Sequence, residues 1–399
     1  MHNSEPPVQD ISRNQRHEVA EVFRLYLEQY QAGHQLSAEQ HKVVRHIKHC
    51  RTAAMGGHVE ACDSCSHTRI AYNSCRDRHC PKCQAMVKEQ WLAARKAELL
   101  PCGYFHLVFT LPHLLNPLVL HNRKLCLGLI FTAANQTLQR FAADPQWRLH
   151  GQLGFIGVLH TWSQTLIDHF HLHCLVPGGA LSLGEQRWIR ARKNYLFRLK
   201  SLAACFRNRY LAHLRALFDK GELVLPVNWD QEQFQAILAK AGRTKWIVYA
   251  KAPFAGPKQV LEYLARYTHR VAISDHRLQA IADGKVSFGY KDRKNGNAKR
   301  TMTIDAEEFI RRFLLHVLPS GFTKIRYFGF LSHTRKKLAI AQIRRIIDPL
   351  MELPPVKKET TKETMQRVTG IDITRCPQCG TGRIVVITRI PAAFYRDTS

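Results

Sequence analysis

The pairs Cys62-x-x-Cys65 and Cys80-x-x-Cys83 are separated by 14 residues and offer four thiolates at a spacing that suits one tetrahedral zinc ion. Four protein ligands leave no open position for water, so such a site is structural. His67, Cys75 and His79 lie in the same stretch and can substitute for any of the four. Near the other end, Cys376-x-x-Cys379-Gly380 has the form of half a zinc knuckle, with no second pair close by in sequence. Cys102, Cys126, Cys174 and Cys205 match no ligand spacing and read as core residues.

A second group lies in His169-Phe170-His171-Leu172-His173-Cys174-Leu175-Val176. The strand period of two puts Phe170, Leu172, Cys174 and Val176 on one side and His169, His171 and His173 on the other. Neighbours on one face are about 6–7 Å apart, so two imidazoles can converge on one metal ion. His171 and His173 are the expected ligands, and a third is to be found among His169, Gln164 and His160. The third group is a helix carrying Tyr263 and Tyr267 one turn apart on the same face. A phenol attacks a phosphodiester when a nearby metal polarises the phosphate. By itself such a pair, flanked by Val260 and Leu264, equally suits a half-buried core face; the histidine strand gives it a chemical reading.

Lys and Arg number 59 against 31 Asp and Glu, a formal charge of +28. That excess predicts a polyanionic partner and salt-sensitive binding, and it leaves a small neutral substrate without a use for the charge. Arg76 and Arg78 surround the first cysteines and suit phosphates, as do Arg293, Lys294 and Arg300 in a later basic hairpin. Tyr290, Tyr327 and Phe328 lie among the basic stretches, where they can stack on unpaired bases. The most apolar run, Leu99 to Leu120, is broken by Pro101, His106, Pro112, His113 and Pro117, whereas a span needs about 20 apolar residues. The expectation is therefore a cytoplasmic protein with no membrane partner, in which reduced thiols serve as ligands before disulfides.

These residues need elements to hold them. Helical pattern runs from Ile11 to Tyr30 and from Ser37, where Ser37-Ala38-Glu39-Gln40 reads as a capping box, to Met55. A helix follows over Met86–Leu99, a buried strand over Tyr104–Leu111, and a long helix over Pro117–Ala142. After the histidine strand come a helix over Lys193–Asp219, a strand over Trp246–Lys251 and the tyrosine helix beyond Gly256-Pro257. Val286–Tyr290 and Lys299–Ile304 form a hairpin, followed by helix, strand and helix to Pro349. Residues 353–370 read as a linker. Strands and helices without regular βαβ alternation give an α+β class with an antiparallel sheet.

Taken together, the motifs resemble those of transposases of the insertion sequence 91 family. His171-Leu172-His173 resembles the HUH motif of rolling-circle nucleases, Tyr263-x-x-x-Tyr267 its two-tyrosine motif, and the cysteine cluster the zinc-binding segment that begins those transposases. Tyr263 to Ser274 is the most family-like stretch, and the resemblance covers roughly residues 40–350. With the elements read above, the expected organisation is a helical amino-terminal region (1–57), a zinc-binding domain (58–99), an HUH nuclease domain with a central antiparallel sheet flanked by helices (100–275), a basic α+β extension (276–352), and a linker and tail with Cys376-x-x-Cys379 (353–399). The resemblance implies that His171 and His173 hold Mg²⁺ or Mn²⁺ against the scissile phosphate. Such hard ions bind phosphate and accept imidazole beside oxygen. Tyr263 and Tyr267 would form 5′-phosphotyrosine links, with single-stranded DNA at transposon ends and target DNA as partners and Zn²⁺ as structural metal. The expected location is the bacterial cytoplasm, in association with the nucleoid. A zinc-containing DNA-binding regulator would leave the histidine strand and the tyrosines unused, and a rolling-circle replication initiator would not account for the amino-terminal cysteines.

Overall fold

A computed structural model describes residues 17–96, 98–192, 195–254, 259–260, 271–292, 295–350 and 359–393. Tyr263, Tyr267, Arg293 and Lys294 lie outside the described residues.

The centre is a five-stranded antiparallel sheet in the order β13-β5-β6-β3-β9. Its strands are β3 (Tyr104–Thr110), β5 (Phe155–Trp162), β6 (Asp168–Pro177), β9 (Ile247–Phe254) and β13 (Ile325–Phe328). One face is built for burial. Phe105, Leu107 and Phe109 of β3 meet Phe170, Leu172, Cys174 and Val176 of β6, all at most 3% exposed. Helices α4 (Asn116–His121), α5 (Arg123–Ala143), α6 (Leu199–Asp219) and α7 (Gln231–Arg243) cover that face. The single helix expected over Pro117–Ala142 is divided at Asn122, whose side-chain amide donates to the carbonyls of Leu118 and Val224 (3.1 and 2.7 Å). Such local bonding competes with the helical ladder and ends the first helix there.

Three smaller sheets surround the centre, each with three strands. β4 (Gly151–Gln152), β7 (Gly179–Ser182) and β8 (Trp188–Arg190) form one, and β10 (Leu278–Ala282), β11 (Lys285–Asp292) and β12 (Ala298–Asp305) another. The hairpin read from sequence is the β11–β12 pair, in register from Lys285↔Asp305 to Asp292↔Ala298. Helix α8 (Ala306–Leu314) packs with α1 (Val19–Gly33) in a second core that includes Phe23, Phe288, Phe309 and Phe313. Helix α2 (Ala38–His49) begins at the capping box read from sequence, with Ser37 accepting from Gln40 N and Gln40 accepting from Ser37 N.

The third sheet changes the expected organisation. It joins β1 (Gly57–Cys62) and β2 (Thr68–Tyr72) to β14 (Ile384–Ile390), in the order β14-β1-β2. The segment read as linker and tail contains helix α10 (Thr361–Thr369), and its last strand completes the amino-terminal sheet. Helices α3 (Pro81–Lys96) and α9 (Lys336–Ile347) complete the described elements, and α9 packs through Ile340 and Ile343 against Ile156, Val158 and Leu175. The class is mixed α+β with antiparallel sheets, as expected. Among the described residues no helix is long and apolar enough to cross a membrane.

Candidate metal centres and catalytic face

Directly opposed residues of antiparallel strands share a face. The pairings His160↔His171, Thr110↔His171 and Thr110↔Ile247 make one row across β5, β6, β3 and β9. Val158↔His173, Val108↔His173 and Val108↔Tyr249 make the next. Both rows lie on the side away from the large core. His160, His171 and His173 bring one ring nitrogen each within 4.8 Å of one another. The third member of the cluster is thus His160, supplied by the neighbouring strand. His169 lies outside it, with its ring 5.4 Å from that of His113, and Gln164 sits in the following turn, where its carbonyl accepts from Arg277.

The imidazoles are oriented from behind. His171 Nδ1 donates to the carbonyl of His169 at 2.7 Å, which leaves Nε2 with a lone pair. His173 Nδ1 shares a proton with Nε2 of His106 on β3 at 2.8 Å. Ligating histidines ordinarily hold their other nitrogen in this way. His106, 3% exposed, is held far below the usual imidazole range, at about 3, by burial and then by Lys251. Sequence reading missed His106. The signal was its place in the Tyr104–Leu111 strand, where Phe105, Leu107 and Phe109 claim one face and leave His106 on the other. His160 also stacks on Trp162 at 4.7 Å. Imidazole ligands carry no negative charge, so an ion bound by these three would keep its positive charge for an anionic substrate.

The described ends of the tyrosine segment reach this same side. Val260, fully buried, packs in the cluster of Ile156, Val158 and Leu175, and Val271 lines a small cavity with Trp162, His316 and Lys324.

The cysteines fall into two groups, which corrects the single set Cys62, Cys65, Cys80 and Cys83. Cys80 and Cys83 gather with Cys50 and Cys75, all four buried, whereas Cys62 and Cys65 gather with Cys376 and Cys379. The reason is the β1–β2 hairpin. Cys62 and Cys65 lie at its turn, while Cys50 and Cys75 lie by its base, where Arg51 N donates to Asn73 O and Asn73 N to Gly56 O. Five residues of strand, at about 3.3 Å each, separate the two ends by roughly 17 Å. In each group the four sulfurs lie within 4.8 Å of one another. Closest pairs are Cys50–Cys83 at 3.5 Å and Cys75–Cys83 at 3.6 Å in one, Cys62–Cys379 and Cys65–Cys376 at 3.8 Å in the other. A tetrahedron with Zn–S bonds of about 2.3 Å has edges of about 3.8 Å.

Two of the other expected residues serve the protein itself. Arg78 donates to the backbone carbonyls of Leu318, Pro319 and Phe322, and so ties the zinc-binding segment to that turn. His79, weighed as a zinc ligand, instead accepts from Leu318 N at 3.2 Å and bonds Asp77 at 3.0 Å. Burial pushes the Asp77 carboxyl up, but hydrogen bonds from His46 and His79 outweigh it and hold the group ionised. Arg76 is exposed, and Arg300 is exposed beside Asp292 at 3.3 Å.

Residues 22–111 match the family described as "Transposase zinc-binding domain", and residues 154–338 match the family described as "Putative transposase". The chain is 47% identical over 379 residues to "Putative transposase y4qJ" of Sinorhizobium fredii, covering 93% of this chain and 94% of that one. It is also 28% identical over 344 residues to "Transposase for insertion sequence element IS801" of Pseudomonas savastanoi pv. phaseolicola, covering 83% of this chain and 79% of that one. No solved structure matches. The chain belongs to the transposases of the insertion sequence 91 family. The zinc-binding family match and the cysteine clusters together support a structural zinc.

Proposed function

We propose that this transposase nicks and rejoins single-stranded DNA through tyrosine, as an enzyme of the HUH type. His171, His173 and His160 would hold Mg²⁺ or Mn²⁺, and such an ion supplies charge to polarise the scissile phosphate. Tyr263 and Tyr267 serve as nucleophiles. The phenolic oxygen of one bonds to phosphorus, the bond to the 3′ oxygen breaks, and that oxygen takes up a proton to leave a free 3′-hydroxyl and a 5′-phosphotyrosine. A 3′-hydroxyl from another strand reverses the step at a new junction. Two tyrosines allow one strand to be held while another is cut, which suits rolling-circle-like transposition. Arg76 and Arg300, with Arg293 and Lys294, would track the DNA backbone.

The observation that carries this reading is the buried histidine triad, with Nδ1 of His171 held by the His169 carbonyl and Nδ1 of His173 by His106. A core histidine is satisfied by one partner, whereas three rings sharing one point face a common ligand. The tyrosine segment leaves and rejoins the described chain on that same side, at Val260 and Val271.

The test is a covalent-adduct assay with labelled single-stranded DNA from the element's ends, in Mn²⁺ or EDTA, resolved on a denaturing gel. A metal-dependent adduct that vanishes in the Tyr263→Phe, Tyr267→Phe double variant is expected. DNA binding with no adduct for any end sequence or metal would refute the tyrosine mechanism and favour a zinc-containing DNA-binding role.

A further inference from the structure

The zinc-binding family match ends at residue 111 and the transposase match at residue 338, so neither contains Cys376 or Cys379. Yet these two complete a four-sulfur group with Cys62 and Cys65, at sequence separations of 317 and 311 residues. We infer that this group is a second zinc site, which clasps the 359–393 segment onto the amino-terminal domain.

Both halves have the local form of a zinc knuckle. In one, Ser64 N donates to Cys62 Sγ at 3.3 Å; in the other, Gly382 N donates to Cys379 Sγ at 3.3 Å and Thr381 Oγ1 at 3.6 Å. Such N–H groups stabilise thiolate and aim its lone pairs at a shared centre. Gly380 takes the left-handed conformation, φ +70°, that turns the chain back over Cys376. Gly382 admits no side chain, since a Cβ there would overlap the Cys62 sulfur.

The two knuckles are docked independently of any ion. Asp63 N donates to Arg383 O at 3.0 Å, Arg383 N donates to Asp63 Oδ1 at 2.8 Å, and Arg69 donates to Ile373 O at 3.4 Å. Adjacent β14 pairs with β1 from Ile384↔Cys62 to Ile390↔Gly57. Four thiolates around Zn²⁺ carry a net charge of −2, and Arg375 and Arg383 flank the site. The two sites differ in access. All four sulfur-bearing residues of the Cys50 group are buried, whereas Cys379 is exposed and Cys62 and Cys65 half-buried. The clasp should therefore exchange its ion faster than the inner site.

The experiment measures zinc per full-length chain by mass spectrometry of the element after dialysis, in a His171→Ala, His173→Ala background so that imidazoles contribute none. Two ions are expected in the parent and one in Cys376→Ser, Cys379→Ser, with hydrogen exchange rising in β14 and β1 while β3 and β6 stay protected. Cys379→His keeps a ligand and should retain both ions, which distinguishes coordination from simple loss of a packed tail. A zinc chelator should draw one ion well before the other. One zinc in the parent, or two in the double serine variant, would overturn the inference. Neither outcome bears on the tyrosine chemistry.

Discussion

Replacing His106 with Leu removes a buried partner of a proposed ligand without touching the ligand itself. His106 Nε2 and His173 Nδ1 are 2.8 Å apart, and their rings lie nearly parallel with centroids 5.1 Å apart. Burial, then Lys251, lowers His106 to about 3, which favours its neutral form. Without His106, the His173 ring can rotate and take either tautomer, and only one of these presents Nε2 to an ion. Losing such an outer partner costs about 10–100-fold in metal affinity, or about 1.4–2.8 kcal/mol. Adduct yield measured against Mn²⁺ concentration should therefore shift its midpoint upward by about 10–100-fold while reaching the same plateau. His106→Gln, which keeps a hydrogen-bonding group at the same place, should fall between. His173→Ala should lose the plateau as well. An unchanged midpoint in His106→Leu would refute the orienting role, and a lost plateau with an unchanged midpoint would place His106 in contact with the reacting phosphate.

His316 is buried, with Nε2 donating to Leu166 O at 2.9 Å and Nδ1 accepting from Thr161 at 3.1 Å, and burial lowers its pKa from 6.5 to about 3. The unfolded chain takes up this proton near its ordinary value and the native chain does not, so stability is full above about pH 6.5 and declines as pH falls toward 3. Melting followed by circular dichroism should show this decline, and His316→Gln should flatten it. Arg78→Ala removes three bonds to the 318–322 turn and should lower stability by about 2–3 kcal/mol in urea titrations, with an unchanged salt slope for DNA binding. Arg300→Ala should do the reverse, leaving stability within about 0.5 kcal/mol and reducing the salt slope by about 1. Gly329 has φ +59°, and a Cβ there would overlap the Leu153 carbonyl oxygen. Gly329→Ala should therefore cost about 3 kcal/mol or more in the same titration; a change under about 1 kcal/mol would show that the turn yields.

The histidine strand was legible because an apolar set and an imidazole set alternate with period two, and that alternation needs no knowledge of the partner strands. His160 was not assignable, because it joins His171 through strand register, and register between β5 and β6 is written in packing rather than in either segment alone. The cysteines show the same limit. Spacing announced zinc, but a Cys-x-x-Cys pair at a hairpin turn cannot reach a pair at its base, and nothing local to Cys62 points to Cys376. Strand β14 escaped notice because Val385, Val386 and Ile387 are all substantially exposed, so the run has neither alternation nor a buried core to mark it. Arg78 read as a phosphate contact by type, and its three bonds to the 318–322 turn depend on a segment 240 residues away that nothing local announces.

Strand order in the amino-terminal sheet has a consequence for the chain's synthesis. A ribosome makes β1 and its hairpin early, yet β14, which covers the β1 edge, emerges more than 300 residues later. At about 5–20 residues per second that interval is roughly 15–60 s. Throughout it the nascent protein presents an open strand edge and two unmated thiols, while the central sheet is completed behind them. A product released early, before residue 376, would carry that edge and those thiols permanently, exposed to aggregation and oxidation. Only a chain translated through β14 hides them, so closure of the amino-terminal sheet waits on a segment made more than 300 residues after its hairpin.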